Sequence, residues 1–131
     1  NVFSDDTGLE IQALNNEPGV RSARYSGENK DSFKNIELVL KKLKGFSNRK
    51  ARFKTVISLI IDNKNYCFEG VVNGTIIDKP KGELGFGYDP IFVANDMNKT
   101  FAEISIDEKN KISHRAIATN KLIDFINRKR F

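Results

Sequence analysis

The sequence is poor in the residues that make metal clusters and cross-links. Cysteine occurs once, at Cys67, and histidine once, at His114, so neither an internal disulfide nor a Cys/His metal cluster can be assembled. Cys67 sits in a strand-like run, which fits a reducing compartment. Long apolar runs are also lacking. The longest, Val56-Ile57-Ser58-Leu59-Ile60-Ile61, is far below the roughly 18 residues of a membrane-spanning helix. No signal peptide, internal repeat, low-complexity tract or domain linker is visible. Methionine appears only at Met97, and an acidic motif stands close to residue 1, so the chain reads as a piece of a larger protein.

What is present suits one globular domain over residues 1–131. The chain is 39% hydrophobic and 30% charged, enough for a single core. Its net charge of +5 favours anionic partners without choosing between a nucleic acid and a phosphorylated small ligand. Basic residues are spread along the chain except at Arg128-Lys129-Arg130, which reads as a solvated, frayed end.

The pattern along the chain alternates strands and helices. Asn1-Val2-Phe3 resembles a strand end, followed by a turn at Asp5-Asp6-Thr7-Gly8. After the short apolar segment Leu9–Leu14, Asn15–Val20 reads as a loop. Residues 32–43 repeat with helical period, with Phe33, Ile36, Leu40 and Leu43 on one face, Asp31 or Ser32 as N-cap and Gly45 as C-cap. Arg49–Ile61 is predicted as a central strand, because its far end is apolar on both faces. A turn at Asp62–Asn65 leads into a second long strand, Tyr66–Asp78, with a bulge expected at Asn73-Gly74. A glycine-rich loop over Lys79–Pro90 precedes a short strand, Ile91–Val93. Ser105-Ile106-Asp107-Glu108 has the form of a capping box, and Ser113 can cap a last helix whose face is Ala116, Thr119, Ile123 and Ile126.

Three stretches carry candidate chemistry. Paired acids at Asp5-Asp6 can bind a divalent cation or orient a water, although Asp and Gly also serve simply as turn formers. In Gly85-Phe86-Gly87-Tyr88-Asp89, glycines beside an aromatic let the backbone approach a flat ligand. Phe86 or Tyr88 can stack on a base, and Asp89 can accept from ring N–H groups. The alternative is a glycine turn with buried aromatics. Lys109 and Ser113-His114-Arg115 form the third. Cations in the first turn of a helix oppose its dipole unless an anion or acceptor-rich ligand faces them. A lone histidine is more often structural than a general base.

These motifs occur in a specific order: Asp5–Glu10, Pro18–Tyr25, Phe68-Glu69-Gly70, Gly85–Phe92, Lys99–Glu103 and Glu108–Arg115. In that order the chain strongly resembles the Ham1/RdgB family of inosine/xanthosine triphosphate pyrophosphatases. The resemblance implies an α/β fold, elongated and two-lobed, with a mixed sheet flanked by helices and a nucleotide cleft between the lobes. It implies a cytoplasmic, Mg²⁺-dependent, homodimeric enzyme that cleaves ITP, dITP or XTP to the monophosphate and pyrophosphate. Asp6 would then be catalytic and a metal ligand, with Asp5 beside it. Thr7, Phe86, Gly87, Tyr88, Asp89, Lys109, His114 and Arg115 would bind the nucleotide. Family members also carry an N-terminal strand, a Ser/Thr-x-Asn-x-x-Lys phosphate loop and a helix with a metal-binding glutamate, which are expected to be missing here. The other readings are an inactive nucleotide-binding or dimerising fragment and an RNA-binding module. The aromatics sit in glycine loops rather than in the strand pattern of an RNA-recognition sheet, which argues against the last. Neither a nucleic acid nor a membrane is expected as a partner.

Overall fold

The computed structural model describes residues 2–129. Asn1 and Arg130, on which the readings of the strand start and of the basic tail partly rest, lie outside the described residues. The elements are β1 (Val2–Ile11), β2 (Glu17–Gly19), α1 (Ser32–Leu43), β3 (Lys50–Ile61), β4 (Lys64–Ile76), β5 (Phe92–Ala94), α2 (Ile106–Ile112) and α3 (His114–Lys129). The strands form a sheet in the order β2-β1-β3-β4-β5. The α/β class is as expected, but every recorded pairing is antiparallel rather than mixed. Adjacent strands run in opposite directions, and among the described residues no parallel pair requires a helical crossover.

The acidic stretch is a strand, not a turn. Val2 pairs with Ile60 and the ladder continues unbroken to Ile11 opposite Ala51. A ladder of that length overrides the local turn preference of Asp and Gly. Gly8 is selected by crowding instead, since a Cβ there would lie 2.4 Å from the Gly19 carbonyl oxygen. β3 is central, as its two-faced apolar end predicts. The turn into β4 is tighter than expected. It contains only Asp62 and Asn63, both at positive φ (50° and 64°), the geometry of a type I′ hairpin.

No bulge interrupts β4. Arg52–Asn73, Ala51–Gly74 and Lys50–Thr75 pair one to one. Gly74 makes room for β5, because a Cβ would lie 2.4 Å from the Val93 carbonyl oxygen and 2.6 Å from the Phe92 ring.

Both long helices turn a different face to the sheet from the one their apolar residues suggest. In α1 the buried residues are Asn35, Ile36, Val39 and Leu43, while Phe33 is 81% exposed. Asn35 rotates the face inward. Its side chain accepts from Ser26 N–H and donates to the Ala23 carbonyl, tying down the preceding turn. The expected N-cap is present, with Asp31 accepting from Lys34 N–H at 3.2 Å. In α3, His114 and Ala118 are buried and Phe125 meets Tyr66 and Phe68, leaving Ile123 and Ile126 exposed. Aromatic area on β4 outweighs the aliphatic stripe. The core runs along one sheet face from Leu9, Ile11 and α1 through Phe53, Phe92 and Phe101. Among the described residues no helix is long and apolar enough to cross a membrane.

Candidate functional site

The glycine-rich loop displays one aromatic and buries the other. Gly85 and Gly87 hold φ of 77° and 61°, which side-chain-bearing residues rarely adopt. A Cβ on Gly85 would also collide with the Asp89 carboxylate at 2.3 Å. Between them Phe86 stands 71% exposed. Tyr88 is buried, its hydroxyl donating to the Ser22 carbonyl at 2.7 Å, and burial pushes its phenol up in pKa. Of the two stacking candidates, only Phe86 is available to a ligand.

Asp89 is the anchor of this display. Its Oδ2 accepts from Phe86 N–H at 2.9 Å and from Lys109 Nζ at 2.6 Å. Asp89 is 3% exposed and Lys109 is 9% exposed. The carboxylate expected to meet a ligand ring is therefore engaged in holding the loop. Lys109, brought in by α2, lies 4.3 Å from the Phe86 ring centre, so its charge also favours the exposed ring.

A second cluster forms where α3 begins. Ser113 caps the helix, accepting from Ala116 N–H at 3.1 Å. His114 is buried, its ring stacked on Phe53 with centroids 4.8 Å apart and its Nδ1 2.7 Å from Thr55 Oγ1. Burial, aided by the Lys109 and Arg115 charges, lowers its pKa to about 4. The ring is therefore neutral near pH 7 and a weak proton acceptor. Arg115 donates to the Asp5 carboxylate and to Thr7 Oγ1, the latter at 3.1 Å. Asp5 thus answers the cation that the helix dipole disfavours.

Gly70 sets this cluster against the sheet. A Cβ there would lie 1.9 Å from the His114 carbonyl oxygen and 2.6 Å from Ala118 N. Gly70→Ala is expected to push the start of α3 outward, costing about 2–3 kcal/mol by urea unfolding, as overpacking does. A variant as stable as the parent would show that α3 is free to shift.

The two clusters are joined by rings. Phe53 stacks on His114, lies 5.9 Å from Phe101, and Lys109 Nζ lies 5.8 Å from Phe101. One wall therefore carries Phe86, Lys109 and His114, with Arg115 and Thr7 at its far end. Asp6 is not part of it. Side chains alternate along a strand, so Asp5 and Thr7 share the Arg115 side while Asp6 points to the other. There it borders a cleft of about 150 Å³ with Glu10, Gly19, Val20 and Lys54. A larger cleft, about 590 Å³, also lies on the helix-free face, between Glu10, Gln12, Arg52 and Asn73, away from the ring wall.

Of the two acids named as metal ligands, Asp6 is the one left open to a cation. They diverge, and Asp5 is paired with Arg115. Among the described residues no group of three His, Cys, Asp or Glu could hold a metal. The chain alone does not fit a complete metal site.

Thr55 and Phe53 also belong to the site without having been singled out, while Gly70 and Phe101, which lie in the Phe68-Glu69-Gly70 and Lys99–Glu103 motifs, had been given no role. Of the first two, Thr55 left a signal, as a polar residue on the otherwise apolar face of β3.

Comparison with known proteins places the chain's sequence and fold. The Ham1 family model matches residues 1–125. The dITP/XTP pyrophosphatase of Flavobacterium johnsoniae is 50% identical over 124 residues, covering 95% of this chain and 65% of the relative. That of Bacillus subtilis is 52% identical, covering 92% and 63%. The solved structure of the Staphylococcus aureus Ham1 protein superposes with a TM-score of 0.95 at 48% identity, covering 98% of this chain and 67% of that one. The chain thus spans a little under two thirds of the length of these curated relatives. On the family match and on this likeness of sequence and fold, the chain belongs to the Ham1 family.

Proposed function

We propose that this chain forms the base-recognising part of a pyrophosphatase for non-canonical purine nucleoside triphosphates such as ITP, dITP and XTP. The observation that carries the reading is the exposed Phe86 ring, held by the Asp89–Lys109 pair at one end of a wall that ends in His114 and Arg115. Phe86 stacks on the purine. Inosine and xanthosine carry a 6-oxo acceptor where adenine carries an amino donor. Donors at His114 and Arg115 pair with the oxo group, and adenine leaves them unmatched, which is costly in a dry site. Gly87 and Tyr88 shape the loop behind the ring.

In the reaction, a water oxygen attacks the α-phosphorus, the bond to the bridging oxygen breaks, and pyrophosphate leaves with the nucleoside monophosphate remaining. Asp6 holds the water and takes its proton. A divalent cation, Mg²⁺, would neutralise the phosphates, with Asp6, whose carboxylate has no recorded partner among the described residues, as a ligand from this chain. The relatives extend beyond the matched region, and we assign the main triphosphate clamp and further carboxylates to that additional length, across a cleft between two lobes. We extend the proposal to a homodimer in the cytoplasm, where the exposed Cys67 thiol would stay reduced.

The test is pyrophosphate release from ITP, XTP and dITP against ATP and GTP, by the 131-residue chain and by a protein carrying the relatives' additional length. The longer form is expected to be fast and selective for the 6-oxo purines. Equal turnover of ATP and ITP would overturn the reading. Phe86→Ala should weaken every purine triphosphate alike, by about 1–3 kcal/mol, because stacking ignores the base edge. A loss confined to ITP and XTP would make Phe86 a selectivity residue instead. A second reading, a fragment that binds nucleotide without cleaving it, is favoured by the incomplete set of metal ligands among the described residues. It predicts ITP binding without pyrophosphate release from the short chain.

A further inference from the structure

Thr55 stands in the middle of β3, fully buried, and touches two members of the site. Its hydroxyl oxygen lies 2.9 Å from Thr7 Oγ1 and 2.7 Å from His114 Nδ1. Thr7 Oγ1 in turn accepts from Arg115 at 3.1 Å. A guanidinium only donates, and each hydroxyl has one proton to give. The donor at the Arg115 end leaves the Thr7 proton free to be given onward, and one order keeps both hydroxyl protons in protein bonds. In that order Thr7 accepts from Arg115 and donates to Thr55, and Thr55 donates to His114 Nδ1.

We propose that Thr55 is a positioning residue which, through this Arg115–Thr7–Thr55–His114 chain, keeps the proton of the His114 ring on Nε2 and so makes that nitrogen a donor to the base. The proposal rests on the nucleotide reading given above and deepens it by naming what sets the donor. With the opposite tautomer, Thr55 would turn its proton to Thr7, which would then accept twice and have to send its own proton to solvent. The ordered direction keeps every hydroxyl proton in a bond, and successive bonds polarise one another in the same sense. Burial keeps the ring neutral near pH 7, so its tautomer is a real choice between two nitrogens. Among the described residues Nε2 has no protein hydrogen-bond partner, while the ring face is fixed against Phe53.

The chain's single histidine makes the test direct. Ring ¹⁵N NMR near pH 7 should find the proton on Nε2 in the unchanged protein. Thr55→Val keeps the size and branching of a strand residue but removes the hydroxyl, and should release the tautomer to a mixture or to Nδ1–H. Thr55→Ser should restore it. In parallel, the preference for binding ITP over ATP should fall about tenfold in Thr55→Val and recover in Thr55→Ser, the loss of one well-placed hydrogen bond. A proton on Nδ1 in the unchanged protein would overturn the proposal. So would a Thr55→Val variant that keeps both the tautomer and the preference. A protein with no ITP preference at all would instead count against the nucleotide reading, and the tautomer measurement would still judge the relay by itself.

Discussion

Lys109→Met should cost the protein about 3–5 kcal/mol of stability, the usual penalty for stripping one partner from a buried ion pair. Asp89 and Lys109 side chains are 4% and 11% exposed, and their contact at 2.6 Å links α2 to the glycine loop through charged groups. Without the ammonium, Asp89 keeps a buried negative charge with Phe86 N–H as its remaining recorded donor. The ring of Phe86 also loses the cation 4.3 Å from its centre. Urea unfolding measures the first effect and ITP binding the second. The double variant Lys109→Met/Asp89→Asn should recover a clear part of the stability, because it buries no net charge, but not the affinity. The two sites are in contact, so their effects should not add. A single-variant loss under about 1 kcal/mol would mean that water reaches the pair and that it holds the loop weakly.

That pair also marks the limit of what the sequence conveys. The long strands, the caps at Asp31 and Ser113 and the glycine loop were legible, because each rests on local patterning or on a residue's own backbone preference. Asp5-Asp6-Thr7-Gly8 was misread because the same residues form turns in isolation and a strand when β3 supplies a partner. Gly8, Gly70 and Gly74 look like punctuation in the sequence. In the fold they are places where another backbone or a ring comes too close for a Cβ. Asp89 and Lys109 were legible as site residues but not as partners, since twenty residues separate them and only packing closes the gap. The role of Thr55 was hidden for the same reason. Its two partners lie on other elements, 48 and 59 residues away in sequence. What escaped the sequence is thus what depends on two distant segments meeting.

The same divergence of side chains that separates Asp5 from Asp6 makes the largest kinetic effect separable. Asp6→Asn is expected to lower kcat for ITP by about a hundredfold or more in the longer, active protein, the usual worth of a positioned general base. Asp6 is exposed, and among the described residues it makes no hydrogen bond or ion pair through its side chain. Its backbone pairing with Val56 does not depend on the carboxylate. Stability should therefore stay within about 0.5 kcal/mol, as for other surface changes, so that a lost rate reports chemistry rather than unfolding. Affinity for the base should also hold, since Phe86, His114 and Arg115 lie on the other side of β1. Asp5→Asn should behave in the opposite way. It loosens the Arg115 side chain, an exposed pair worth at most about 1 kcal/mol, and should raise KM by a few-fold with kcat nearly unchanged. Steady-state kinetics with ITP on the two variants distinguishes the roles. If Asp6→Asn turned over at a near-normal rate, the water would be activated by a group outside this chain. If Asp5→Asn took the larger loss in kcat, the assignments of the two acids would have to be exchanged.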